Sequence, residues 1–415
     1  MIAPDIKKDF YILIASRLST RMGDGFLRIL SVLLVAEKTH DPMIAGLVLV
    51  FRYICEIMIN AVAGPVIDRV HIKVSLMASD LTRSIIAALL VASVLLGYPY
   101  QIYMVLAFLG DFTFLFFKPA VDKVVKVSFP VSEGTKIISE IDAVSHCSNI
   151  AGFTLASFLG SWLGLTITVC LAPLFFLFSF LVISRICLEG EKIIDYGKVR
   201  SKSFWSSNKE GMRYTLKNPL LRLLLMARTA VAVGRGAFTV LSVVYLAEVV
   251  KGLSAYGYFE SAQSAGKVVV TALVIPVFFA YRSSFLLMAV AQCLIGISFF
   301  CFSLANNVVL ACLVGAMVGI GQASEAVGID SCINRYSEAH IQARTKSTTS
   351  FGSRLAGLGA IAACYFLIIS LKVSPQTLFA WMGLFPITGG VIAFIGWANE
   401  KSAYSPAAES AGDTE

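Results

Sequence analysis

Arg17, Arg21, Asp24 and Arg28 recur at spacings of 4, 3 and 4 inside an apolar stretch near the start of the chain. On a helix turning 100° per residue they fall within about 60° of one face. Three guanidinium groups and one carboxylate cannot front hydrocarbon, so this face must look into a protein interior or a watery cavity. Asp24 can pair with Arg21 or Arg28, which leaves positive charge over on that helix. Guanidinium grips carboxylate or phosphate through paired hydrogen bonds, so the surplus suggests recognition of an anionic substrate.

Further ionisable residues sit inside apolar segments at helical spacing. Arg52 and Glu56 are four apart. Asp111, Lys118 and Asp122 share a face, as do Asp142, His146 and Asn149. Later segments carry Arg228 and Arg235; then Glu260, Gln263 and Lys267; then Gln322, Glu325 and Asp330; and finally Arg354. The residues expected to bind substrate or couple its movement are Arg21, Asp24, Arg28, Arg52, Glu56, Asp111, Arg228, Arg235, Glu260 and Glu325. Carboxylates held away from water are natural proton carriers, which makes Asp24, Asp111, Glu260 and Glu325 candidates for that role. Charges nearer the segment ends (Asp80, Arg83, Lys118, Asp122 and Glu140) are expected to act in structure or gating. His146 and Cys147 are adjacent, so they point about 100° apart and do not readily ligate one ion. No metal site and no cofactor is expected.

These charges have to be positioned by elements that themselves live in lipid. Apolar residue types make up 57% of the 415 residues and charged ones 14%, and the mean hydropathy is +0.79. Soluble domains usually carry about 25% charged residues. Spans of about 20 mainly apolar residues are expected at 10–36, 43–66, 74–97, 101–125, 136–160, 163–186, 219–247, 255–280, 284–304, 307–334, 347–371 and 375–398. The expected fold is therefore all-α, with twelve transmembrane helices. The polar stretch 187–218 divides them into bundles of six, at 1–186 and 219–398. Residues 399–415 read as a disordered cytoplasmic tail.

The net charge of +8 reflects Lys and Arg gathered in one alternate set of loops. That is the mark of cytoplasmic loops rather than of nucleic-acid binding. Lys7, Lys8, Arg69, Lys73, Arg185 and Lys192 belong to that set, while Lys38, Lys251 and Lys372 fall on the other side. Both termini are thus expected in the cytoplasm. The nine cysteines form no CxxC pair and read as packing residues. Gly152, Ala156, Gly160 and Gly164 form a small-residue stripe suited to close helix packing. The sequence carries no Walker loop, HExxH or GxSxG pattern, so it is not expected to be an enzyme or an ATP-driven pump.

The stretch AVAGPVIDRVHIKVSL closes the second span. Its Gly64, Asp68, Arg69 and Lys73 form G-x-x-x-D-R-x-x-x-K, which resembles the loop signature of the major facilitator superfamily. RLSTRMGDG, LVFRYICEI, SDLTRS and EGMRYTLKNPLLRLL are similar to the branch that contains the bacterial enterobactin exporter and macrolide efflux pumps. The resemblance implies a two-bundle secondary transporter with a central cavity, and a conformational latch at Gly64, Asp68, Arg69 and Lys73. The sequence departs from the pattern in two places. VIPVFFAYRSS, the matching loop of the second half, lacks the acid. GFTLASFLGSWLG in the fifth span lacks the Gly-Pro of many antiporters.

Three readings follow. The first is a monomeric exporter of a siderophore or drug-like molecule in the inner membrane, driven by an ion gradient such as protons. The second is an importer of an anionic metabolite or iron–siderophore. The third is a non-transporting membrane partner or receptor with the same fold.

Overall fold

The computed structural model describes the backbone of residues 4–67, 71–128, 131–186, 204–250, 252–271, 283–338 and 341–404. Among these residues the regular structure is helical. The helices are α1 (Pro4–Thr39), α2 (Pro42–Ile67), α3 (Ile72–Leu95), α4 (Tyr100–Ser128), α5 (Val131–Leu163), α6 (Leu165–Val169) and α7 (Ala172–Ile183), followed by α8 (Phe204–Lys217), α9 (Pro219–Glu248), α10 (Tyr256–Val269), α11 (Ser284–Ser303), α12 (Val308–Tyr336), α13 (Gln342–Leu371) and α14 (Pro375–Tyr404).

Local chemistry sets several boundaries. Asn218 accepts hydrogen bonds from the backbone of Leu220 and Leu221 at 3.0 and 3.3 Å, and Pro219 opens α9 behind it. An Asn cap with Pro in the first turn is a favourable helix start. Asn307 caps α12 in the same way through the backbone N–H of Leu310 at 2.8 Å. The sixth expected span is broken. Gly164 has φ +83°, a left-handed conformation that glycine tolerates best. It therefore ends α5 instead of extending its small-residue stripe. Pro173 then sits in the first turn of α7, where its missing N–H costs nothing.

Seven helical stretches among the described residues are long and apolar enough to cross a bilayer: Ile72–Leu95, Leu165–Ile183, Pro219–Glu248, Ser284–Ser303, Val308–Tyr336, Arg344–Leu371 and Pro375–Lys401. α1 falls outside that measure because of its own Arg and Asp residues. Large apolar side chains such as Trp162, Phe178, Val309, Phe366 and Ile369 are exposed, as lipid-solvated surfaces require. The Phe-rich runs divide between surface and core. Phe178 and Phe300 are exposed, whereas Phe176, Phe299 and Phe302 are buried.

The chain forms two compact units. Unit 1 comprises Met1–Ser201 with Val240–Val268, and unit 2 comprises Lys202–Thr239 with Val269–Glu415. In unit 1, α1 packs on α5, α7, α2 and α4, and α3 packs on α4 and α7. Glycines make the closest of these contacts. Gly152 lies against the backbone of Met22 and Phe26, and Gly25 against Phe153 and the carbonyl of Asn149. The segment Val240–Val268 seats on α5. There Thr154 and Ser261 share a hydrogen bond of 2.9 Å, and the Ser261 hydroxyl donates to the Ile150 carbonyl at 3.2 Å.

In unit 2, α11 packs on α14 and α12, and Gly296 and Gly383 meet backbone to backbone. Phe238 stacks on Phe299 at 4.0 Å and meets Phe302 and Phe379 edge-on. α8 lies inside the polar stretch expected between the bundles. It is tied to α13 by Arg344–Glu210 at 2.6 Å and by Thr348–Asn208 at 2.9 Å. α14 continues to Tyr404, into the stretch expected as tail.

The glycine contacts are testable. A side chain at Gly152 would drive a Cβ into the Met22 carbonyl. Gly152→Val is expected to destabilise the protein by about 3 kcal/mol, near the upper end for overpacking because the obstacle is backbone. Gly352→Ala, whose nearest neighbour would be the Met212 methyl at 3.9 Å, is expected to be neutral or slightly stabilising. Thermal unfolding in detergent checks both.

Candidate functional site

The charges of α1 find partners on α3, α5 and α10 as well as on α1 itself. Asp24 pairs with Arg83 of α3 and stands 3.7 Å from Arg21. Asp80, one helical turn before Arg83 and 3.9 Å from it, is held by hydroxyls. Thr20 donates to one of its oxygens at 3.1 Å and Ser179 to the other at 2.5 Å. The Ser16 hydroxyl lies 2.8 Å from that of Ser179. Arg17 donates to Ser145 at 3.0 Å and feels the charge of Asp80. Relative exposures of 1% for Arg17, 0% for Asp80 and 2% for Arg83 place this cluster in the core. Phe176 lies 4.3 Å beneath the Arg83 guanidinium, a favourable contact for a desolvated cation.

Further along α1, Arg28 pairs with Glu260 of α10 at 3.0 Å, and the Tyr256 hydroxyl donates to Glu260 at 3.1 Å. On α2, Arg52 pairs with Asp111 of α4 at 2.7 Å and reaches Glu56 at 3.9 Å. Asp24, Arg28, Arg52, Arg83, Asp111 and Phe176 together line a pocket inside unit 1, with about 430 Å³ of space not filled by atoms, its open mouth included. Such a lining offers hydrogen-bond donors to carboxylate or phosphate oxygens, balanced by acids that can be exchanged for them.

Unit 2 holds a second group. Arg235 of α9 meets Glu325 of α12 at 3.4 Å, and Gln292 of α11 donates to Glu325 at 3.5 Å. Arg228, two turns before Arg235, donates to the Thr349 hydroxyl of α13 at 3.1 Å. Glu325 and Gln292 are buried, while a third of the Arg235 side chain is exposed.

The structure therefore brings the expected residues together in two groups: Arg21, Asp24, Arg28, Arg52, Glu56, Asp111 and Glu260 in unit 1, and Arg228, Arg235 and Glu325 in unit 2. Of the two pairings expected for Asp24, the one with Arg21 is present at 3.7 Å, beside Arg83 of α3, whereas Arg28 pairs with Glu260 of α10. Asp80 and Arg83, expected near a helix end, are central. Their signal was depth, since Asp80 lies eight residues into α3, about 12 Å from its start. Arg17, expected on the inward charged face of α1 but not among the binding or coupling residues, is buried on that face and bonded to Ser145. Asp330 pairs with Lys346 at 2.8 Å in an exposed position. Of the expected latch, Asp68 and Arg69 lie outside the described residues and Gly64 ends within α2. Lys73 donates to the Ile186 carbonyl at 2.8 Å, fastening α3 to the end of the sixth span. The loop that had lost its acid lies outside the described residues up to Arg282. Just after it, Ser283 donates to Glu400 of α14, and Arg335 of α12 pairs with the same carboxylate at 2.9 Å.

Comparison with known proteins adds the following. The sequence profile of the Major Facilitator Superfamily matches residues 13–361. No curated protein matches by sequence. Among solved structures, a point mutant of the nucleoside transporter NupG superposes with a TM-score of 0.73 at 12% identity, covering 94% of this chain and 99% of that one. A point mutant of the peptide transporter POT in complex with sulfate gives 0.72 at 13% identity, with 94% of each chain covered. A point mutant of the E. coli fucose:proton symporter FucP gives 0.62 at 12% identity, with 93% and 98% covered. At these identities the likeness is one of fold.

The Asp24–Arg83 pair makes a double-mutant prediction. Asp24→Asn or Arg83→Met alone strands a buried charge and is expected to cost about 3–5 kcal/mol. The double variant is expected to recover most of that loss. Unfolding midpoints of the four proteins in detergent measure the coupling, and additive losses would count against the pair.

Proposed function

The chain belongs to the major facilitator superfamily of multi-pass membrane transporters, and from that premise we propose that it is a secondary active transporter exporting a small organic solute by alternating access. Twelve spans in two sets of six, with both termini cytoplasmic, fit the alternation of Lys and Arg between loops. The inner membrane is the expected location, a monomer the expected unit, and protons the expected driving ion. The outward direction rests on the stretches similar to the enterobactin and macrolide exporters.

The observation that carries this reading is the Arg28–Glu260 ion pair at 3.0 Å. Alternating access needs contacts that can be made in one state and released in the other. The segment Val240–Val268 is held to α1 and α5 by an ion pair and small hydroxyls. Such contacts can exchange for water or solute without leaving a cavity. The pocket beside them is lined with Arg52, Asp111, Asp24 and Arg83. A cluster this costly in a lipid-solvated protein supports a functional role. Uptake of an anionic metabolite or iron–siderophore is the second reading. What favours it is Arg228, whose hydrogen bond goes to a neutral hydroxyl.

Inside-out and right-side-out vesicles, each with and without a pH gradient, test the proposal. A catecholate siderophore or a macrolide should move outward and only with the gradient. Inward movement of an anionic solute favours the second reading, and no movement of any solute leaves a non-transporting role. Arg28→Ala and Arg235→Ala are each expected to abolish transport while the protein still reaches the membrane. Normal transport in both would sink the cavity reading.

A further inference from the structure

A group of cations that the buried networks do not use gathers where the polar stretch turns into the second set of spans. Lys209, Arg213 and Lys217 of α8 recur every four residues, and all three are exposed. At 100° per residue they occupy about 80° of arc. Leu216, 49% exposed, stands beside Lys209 on that side of the helix. The opposite side of α8 is buried. Gly211 lies against the Arg344 carbonyl and the Thr348 hydroxyl of α13, and Thr215 is fully buried. Arg344–Glu210 at 2.6 Å and Thr348–Asn208 at 2.9 Å fix the helix in this rotational setting.

The basic strip continues into a membrane span. Only Asn218 separates α8 from α9, and Pro219 opens a stretch long and apolar enough to cross a bilayer. Arg222, in the first turn of α9, is exposed one turn before Met226, which is 49% exposed. The four cations therefore stand at the edge of a span and just beyond it, at the level of lipid headgroups. Glu210 is the only acid between Phe204 and Leu246, and Arg344 holds it. Glu338 approaches α8 at Tyr214, through its backbone N–H at 3.2 Å, outside the basic arc. An amphipathic helix with one face packed on protein, cations on the other and an exposed leucine among them suits an anionic interface.

We propose that Lys209, Arg213 and Lys217 of α8, with Arg222 at the head of α9, dock on the phosphates of anionic phospholipids in the membrane that holds the protein. The two arginines take phosphate oxygens through paired hydrogen bonds, and the two lysines act as point charges. Leu216 enters between the headgroups, and Met226 meets the acyl chains above them. α8 is bound to α13 and continuous with α9, so lipid charge acts on two spans of unit 2 at once. The inference goes beyond the transport reading, because it needs only that the chain spans a membrane.

The test uses the purified full chain in neutral detergent and follows its unfolding midpoint. Four probes are titrated in parallel: dihexanoyl phosphatidylglycerol, dihexanoyl phosphatidylcholine, glycerol phosphate and polyglutamate. Phosphatidylglycerol should raise the midpoint and phosphatidylcholine should not. The rise should shrink with salt, as the screening length falls from about 10 Å at 0.1 M to about 3 Å at 1 M. Lys209→Gln, Arg213→Gln and Lys217→Gln should each weaken binding about fivefold, and together roughly 100-fold, from the contribution of one cation near an anionic surface. Lys209→Arg with Lys217→Arg should retain binding, as should Lys38→Gln, which removes an exposed cation at the end of α1. Without lipid, all these variants should unfold like the parent protein, since the side chains are exposed.

Equal shifts from the two phospholipids, no shift from either, or a phosphatidylglycerol shift that survives the triple variant would overturn the inference. Glycerol phosphate acting as strongly as the lipid would overturn it in favour of a soluble anion. Polyglutamate acting in place of the lipid would overturn it in favour of an acidic protein partner. Vesicles that move no solute would fail the transport reading alone, and indifference to phosphatidylglycerol would fail this inference alone.

Discussion

A guanidinium group cannot be left alone in a protein solvated by hydrocarbon, and the pairing of Arg83 with Asp24 shows how much of unit 1 follows from that constraint. Arg83 and Asp24 are 2% and 8% exposed, respectively. To meet, α1 and α3 must lie close and in one rotational setting. Once they do, Asp80 falls beside Thr20 and Ser179, which brings in α7. Arg28 falls opposite Glu260, and Arg52 opposite Asp111. Close approach is possible because glycine, not a larger residue, stands where α5 crosses α1. Apolar packing supplies the bulk of the contact area, but ion pairs choose the register. A helix rotated by one residue would swing its charges about 100° out of line.

The helices were largely readable from hydropathy, because a bilayer demands long apolar runs and short polar gaps. The charged faces were readable too, since periodicity alone aligns Arg17, Arg21, Asp24 and Arg28. What the chain did not disclose was partnership. Nothing local distinguishes Glu260 from Asp24 as the ligand of Arg28, and the choice is made by how distant helices pack. The same blindness hid Asp80 and Arg83, which a count from the helix start would have placed deep. The break at Gly164 also escaped, because a glycine in a small-residue stripe and a glycine with positive φ look alike in sequence. The second-half loop, by contrast, had visibly lost its acid. Nearby, Glu400 from a helix end far along the chain meets Ser283 and Arg335, an arrangement only the fold reveals.

The two units differ in how tightly charge is satisfied. Unit 1 meets Arg28, Arg52 and Arg83 with close carboxylates, and Arg17 with the Ser145 hydroxyl. Unit 2 leaves longer distances around Glu325 and an arginine on a neutral hydroxyl.

The long-range pairing also bears on how the protein is made. Helices leave the ribosome in order, and α1 comes first with its arginines. Asp24 on α1 itself serves Arg21, but the carboxylate of Arg28 is on α10, so Arg28 must wait for most of the chain. A lone arginine at the centre of a nascent span costs about 2.5–3.5 kcal/mol to hand to the lipid. The first helix therefore has reason to linger at the insertion machinery, or against its neighbours, until the later helices emerge. Assembly order is written into the spacing of the charges: Arg28, made early on α1, stays without its carboxylate until Glu260 of α10 follows.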